Sequence, residues 1–271
     1  MFSDFSHMKW LYQENSVMTL DGKEVVIYNF NHIPDKTILK KWAHHFRNYY
    51  CVDEMVDLLR NGTNKTRNEY FRDIKFPDKD HPLGRSTRVG DFSEILVADY
   101  MQFMLNYWIP DRDKYSRKKN RNMSLPGCDI IGIYYQNSTQ KIDDVLCCCE
   151  VKGKYSGKSD NGRLEKAIDD SAEDALKVAV ELSSIKQRFL EQHNKNDALK
   201  IERFQNINDN PYTEKYISAA VLDSSIYDEH KIKGINTANY DKRNASSFMI
   251  IKISNFKQLI NDLYESAANE A

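Results

Sequence analysis

Residues 145–154 read V-L-C-C-C-E-V-K-G-K. A run this dense in apolar residues is a strand built for burial, yet its end carries Glu150 and Lys152. Side chains alternate along a strand, so both charges share one face with Leu146 and Cys148. A buried strand that points a carboxylate and an ammonium at one place needs something there to receive them. The flanking sequence supplies candidates.

Upstream, L-P-G-C-D-I-I-G-I (125–133) uses Pro126-Gly127 to turn the chain into a strand spanning Cys128 to Tyr135. Asp129 falls at the start of that strand. Aspartate is disfavoured in strands and costly to bury unpaired, although at a strand end it can bond to turn amides. Further upstream, the pattern predicts a helix from Asp91 to about Tyr107, stopped by Pro110. Glu94 heads a stripe continued by Ala98, Met101 and Leu105, and Asp91 with Glu94 also has capping-box spacing. A helix carboxylate, a strand aspartate and an E-x-K therefore follow one another in order. Phosphodiester hydrolysis uses a divalent cation to polarise the phosphate and acidify a water. Hard cations such as Mg²⁺ take one or two carboxylates plus carbonyl, water and phosphate oxygens. Asp129, Glu150 and the Val151 carbonyl could supply such ligands, with Glu94 reaching the metal directly or through water. Lys152 would orient or help deprotonate the water and stabilise the negative charge that develops.

The remainder of the 271 residues sets bounds. Hydrophobic residues make up 41% of the chain, enough for a substantial core, and no apolar stretch approaches the roughly 18 residues of a membrane span. MFSDFSHMKW at the start lacks the features of a signal peptide, so a cytoplasmic protein is expected. The three consecutive cysteines, with Cys51 and Cys128, form neither a disulfide framework nor a zinc pattern and read as small buried hydrophobes. Histidines, including His44-His45 and His81, show no recurring ligand spacing. Walker A, GxGxxG and GxSxG motifs are absent.

Lys23–Phe30 reads as a strand, followed by a helix capped by Asp35 and running into Leu59. Residues 60–88 are polar and turn-rich, which places a boundary between a leading unit, 1–80, and a main domain, 81–271. After the E-x-K strand come a long helix from Leu164 to Gln192, strands at Tyr216–Leu222 and Phe248–Ile253, and a last helix from Asn255 to Ala267. The polar link QNSTQKID (136–143) joins the Cys128–Tyr135 strand to the E-x-K strand, Asp144 to Lys152, as a hairpin. This order predicts an α/β fold with a mixed β-sheet flanked by helices.

"GDFSE", "PGCDIIGI" and "CEVKGK" resemble the PD-(D/E)xK nuclease superfamily, which implies a restriction-endonuclease-like core with an N-terminal α/β extension. It also implies a metal site of Asp129, Glu150 and Glu94 with Lys152 as the catalytic lysine. More closely, "RVGDFSEILVADYM", "LPGCDIIGIYY" and "VLCCCEVKGKYS" resemble the HamA family of Hachiman anti-phage defence, mainly over residues 85–180. That resemblance implies a DNA nuclease activated by Mg²⁺ (or Mn²⁺), partnered by HamB, a superfamily 2 helicase. A stand-alone restriction-type endonuclease and a non-catalytic interaction subunit are the alternatives.

Net charge is −1, so any nucleic-acid surface must be local. Arg112, Lys114, Arg117, Lys118, Lys119 and Arg121 form the densest basic run, directly before the strand of Asp129, and are expected to hold phosphates. Lys154, Lys158 and Arg163 follow the E-x-K strand and could touch the same backbone.

Overall fold

The computed structural model describes residues 5–33, 35–135, 144–160, 162–171 and 175–270. Strands β1 (Leu11–Gln13), β2 (Val17–Met18) and β3 (Glu24–Phe30) come first, followed by helices α1 (Lys36–Asn48), α2 (Asp53–Arg60) and α3 (Arg67–Tyr70). The long helix α4 (Pro82–Phe103) precedes β4 (Ile130–Tyr134) and β5 (Val145–Lys154). Then come α5 (Arg163–Ser171), α6 (Ala175–Glu191), α7 (Lys195–Glu202), β6 (Thr213–Asp223), α8 (Glu229–Gly234), β7 (Ser246–Ile253) and α9 (Phe256–Asn269).

Among the described residues, seven strands make one mixed sheet in the order β1-β3-β7-β6-β5-β4, with β2 also paired to β3. The central β3-β7-β6-β5 set is parallel, and β4, β1 and β2 are antiparallel additions. Parallel strands are covered on both faces, which is why β6 is buried without interruption from Tyr216 to Leu222. On one face Cys147, Cys149 and Val151 pack with Phe92 and Leu96 of α4, Trp42 and Phe46 of α1, and Leu263 of α9. On the other, Leu146 meets Leu182 and Ile185 of α6, while Ala220 and Leu222 meet Leu164 and Ile168 of α5.

The segment before residue 81 belongs to the same core. β3 pairs with β7 from Val25↔Phe248 to Phe30↔Ile253, and residues of α1 and α9 share one apolar cluster. Asp35 caps α1 as expected, accepting from the backbone N–H of Thr37 and Ile38. That helix does not continue to Leu59. The chain breaks after Asn48, whose side chain accepts from the backbone N–H of Asp53 and so starts α2.

The expected start of the α4 helix also needs correction. It begins at Pro82, with the His81 side chain accepting from Leu83 N–H, so Asp91 and Glu94 lie inside the helix and form no capping box. Its first turns look like a loop in sequence because they bury Thr87, Arg88, Asp91 and Ser93, polar groups. The helix expected over residues 164–192 is two elements, α5 and α6, and residues 136–143 of the expected hairpin link lie outside the described residues.

Gly153 sets how closely α4 approaches β5. A Cβ there would overlap Ser93 Oγ and come within 2.8 Å of Val89 Cγ1. We predict that Gly153→Ala destabilises the protein by about 1–3 kcal/mol through overpacking, measured by chemical denaturation. An unchanged unfolding midpoint would show that α4 does not press on the strand.

Candidate active site

The antiparallel ladder of β4 and β5 ends at Ile130↔Cys149, but β5 runs on to Lys154 while remaining paired to β6. The edge of β5 beyond β4 therefore has open backbone groups. Val151 N–H is satisfied by the Asp129 carboxylate, at 2.8 Å to Oδ2. The N–H and C=O of one strand residue point to the same edge, so the Val151 carbonyl is directed toward the same opening. Asp129 continues the face of Ile131 and Ile133, and Glu150 that of Leu146 and Cys148; these faces coincide in the ladder register.

Lys152 Nζ lies 2.5 Å from Glu150 Oε1 and 2.7 Å from Asp170 Oδ2. Glu94 approaches from the opposite side, on α4. Its Oε2 accepts from Tyr115 OH at 2.7 Å and pairs with Lys114 Nζ at 2.7 Å, and that ammonium also donates to the Asp129 carbonyl. Thus Glu94, Asp129, Glu150 and Lys152, spread over 59 positions of sequence from Glu94 to Lys152, surround one strand edge.

Burial drives the Asp129 carboxyl well above the usual carboxylate range, and the charges of Glu94 and Glu150 push it further in the same direction. Lys114 and the Val151 N–H oppose the rise without cancelling it. Among the described residues no three His, Cys, Asp or Glu side chains converge as a ready metal cluster. The donor set is instead two carboxylates and a backbone carbonyl, which suits a hard cation that completes its shell with water and phosphate. An excess of negative charge at a partly open strand edge fits the same cation. Glu94 is held by Lys114 and Tyr115, near enough for its charge to raise the Asp129 carboxyl.

The HamA family model matches residues 6–267. The chain belongs to the HamA family. Membership makes it a subunit of Hachiman anti-phage defence, and the match extends well beyond the motifs around Glu94, Asp129 and Glu150. No curated protein matches the chain. Among the described residues, no helix of this HamA-family chain is long and apolar enough to cross a membrane.

The basic run does not form one open cationic face. Arg112 is buried and pairs with Asp99 at 2.9 Å, and the Lys118 side chain, itself covered, reaches both oxygens of Asp91 at 2.6 Å. Lys114 is engaged with Glu94, Arg117 with Asp111 at 2.8 Å, and Arg121 with Asp78 and the carbonyls of Arg72 and Phe76. Lys119 is exposed. These cations fasten residues 111–122 to the body of the protein and deliver Lys114 to the site. Lys158 is exposed, while burial lowers the half-buried Lys154 ammonium, as do the neighbouring cations Arg163, Lys166 and Lys231. Asp170 and Tyr115 were not singled out from the sequence, because neither stands at a recognisable distance from the motif residues.

Arg112 also closes a buried network. Asp99 accepts from Tyr49 OH at 2.7 Å and bonds to His45 Nε2 at 2.8 Å and His7 Nε2 at 3.0 Å. Burial would raise the Asp99 carboxyl, but His45 and His7 outweigh it and hold the group below its ordinary range. An aspartate depressed in the folded state stabilises above its unfolded value, about 3.9, and loses that contribution as pH falls through the folded value. Asp99→Asn is expected to cost roughly 3–5 kcal/mol at neutral pH, as for a broken buried ion pair. Urea unfolding across pH 7 to pH 3 should show the gap to wild type narrowing in acid; a constant gap would remove charge as the cause.

Proposed function

We propose that this chain is a metal-dependent DNA nuclease of the PD-(D/E)xK type, the effector subunit of a helicase–nuclease defence complex. The observation that carries the reading is the hydrogen bond from Val151 N–H to Asp129. It brings the strand aspartate to the E-x-K strand at an edge where a backbone carbonyl is also available. Membership of a defence family supports a nucleic-acid target, and HamB, a superfamily 2 helicase, is the partner proposed to deliver DNA and license cutting.

In this mechanism Asp129, Glu150 and the Val151 carbonyl would hold Mg²⁺ or Mn²⁺. When bound, such an ion would supply Lewis acidity and lower the pKa of a water near the phosphate. Lys152, a cation held between two carboxylates, orients the phosphate and offsets the charge that builds on its oxygens. Burial disfavours its charged form, but Asp170 and Glu150 more than reverse this and raise the ammonium above its ordinary value. It therefore serves as a charge stabiliser, and the proton of the attacking water goes to solvent or to a site carboxylate. Glu94, with Lys114 and Tyr115, keeps Asp129 in place and sets the field around it. Lys119, Lys154 and Lys158 are the cations left to touch flanking phosphates, which gives contact with the backbone and little sequence preference.

Purified protein, with its helicase partner where needed, should degrade DNA with Mg²⁺ or Mn²⁺ and stop on chelation. Glu150→Ala and Lys152→Ala, folded by circular dichroism, should each lose at least about a hundredfold in rate, the scale expected of a general acid–base or charge-stabilising group. Undiminished cleavage by either variant would remove the assigned site.

A further inference from the structure

Lys152 is gripped from two elements. Glu150, two residues back on β5, holds it at 2.5 Å, and Asp170 on α5 holds it at 2.7 Å. The two carboxylates have different duties in the reaction proposed above. Glu150 is also a cation ligand, and whatever it gives to a metal it withdraws from the lysine. Asp170 makes no other ion pair among the described residues, so its grip is independent of the metal.

The end of α5 is built to keep Asp170 in place. Leu164, Ala167 and Ile168 bury one side of the helix against the sheet. The next residue, Ser171, bonds through its hydroxyl to Ser218 Oγ at 3.0 Å, Tyr240 OH at 2.7 Å and the Ile168 carbonyl at 2.8 Å. Asp170 itself remains 48% exposed, at the rim of a cleft that also contains Glu150, Lys177, Tyr216 and Lys242. A flexible four-carbon side chain held by one carboxylate can swing about it, whereas two carboxylates on separate elements fix its direction.

We propose that Asp170 is a positioning residue, holding the Lys152 ammonium toward the substrate phosphate while Glu150 serves the cation. The proposal rests on the nuclease reading. It predicts that Asp170→Asn lowers kcat about tenfold or more, the usual scale for a partner that orients a site group, with KM and DNA affinity nearly unchanged. Asp170→Glu should recover most of the loss, because the carboxylate is retained on the same helix. A second readout needs no metal and no turnover: acylation of Lys152 by an amine-reactive ester, followed by mass spectrometry of the full-length protein. Lys152 should label several-fold faster in Asp170→Asn than in wild type. Cleavage or Lys152 labelling unchanged in Asp170→Asn would overturn the proposal while leaving the nuclease reading intact. Wild-type protein that never cleaves with metal and helicase present would overturn the nuclease reading, and the role of Asp170 with it.

Discussion

A single backbone hydrogen bond, from Val151 N–H to the Asp129 carboxylate, ties the two strands of the site together where their ladder ends. The β4–β5 ladder stops at Ile130, and Asp129 takes over as the partner of β5 with a side chain instead of a main-chain carbonyl. This substitution leaves the strand edge polar and without a neighbouring strand beyond Ile130. It also explains how a strand dominated by Val, Leu and Cys can end in two charges. Up to Cys149 β5 is flanked by β4 and β6 and all but Cys148 of its residues are buried, and beyond Cys149 it has no β4 neighbour.

The site is assembled from both sides of that edge. On the α4 side, Gly153 removes a Cβ that would hold the helix off, so Glu94 comes close enough for its charge to reach Asp129. On the other side, α5 brings Asp170 to Lys152. The segment 111–122 then closes over α4, fastened by Arg112 in the Asp99 network and Lys118 on Asp91, and inserts Lys114 between Glu94 and Asp129. Charge here is arranged as neighbouring pairs of opposite sign; those of Arg112, Lys114 and Lys118 with α4 are largely dry and costly to break, whereas the Asp170–Lys152 pair is partly exposed.

The parts legible in sequence were those governed by local pattern. β5 announces itself by composition, β4 by a Pro-Gly turn and an apolar run, and the order of Glu94, Asp129, Glu150 and Lys152 by comparison with a known arrangement. The start of α4 was not legible, because buried polar residues such as Thr87 and Asp91 find partners far away in sequence, Asn122 for Thr87 and Tyr50 and Lys118 for Asp91. For the same reason the basic run looked like a solvated strip. The aspartates and glutamate that neutralise Arg112, Lys114 and Lys118 lie on α4, and only the folded chain turns the run toward them. Asp170 was invisible because nothing in its own neighbourhood distinguishes it from any acidic residue on an exposed helix face.

The account rests on the open edge of β5 being a cation site. Crystals of the metal-free protein soaked in Mn²⁺ and measured for anomalous scattering test this directly. A peak between Asp129 and Glu150, about 2.0–2.2 Å from their oxygens and within reach of the Val151 carbonyl, is the predicted result. Saturating Mn²⁺ that leaves this edge without a peak, or that binds only elsewhere, would contradict it.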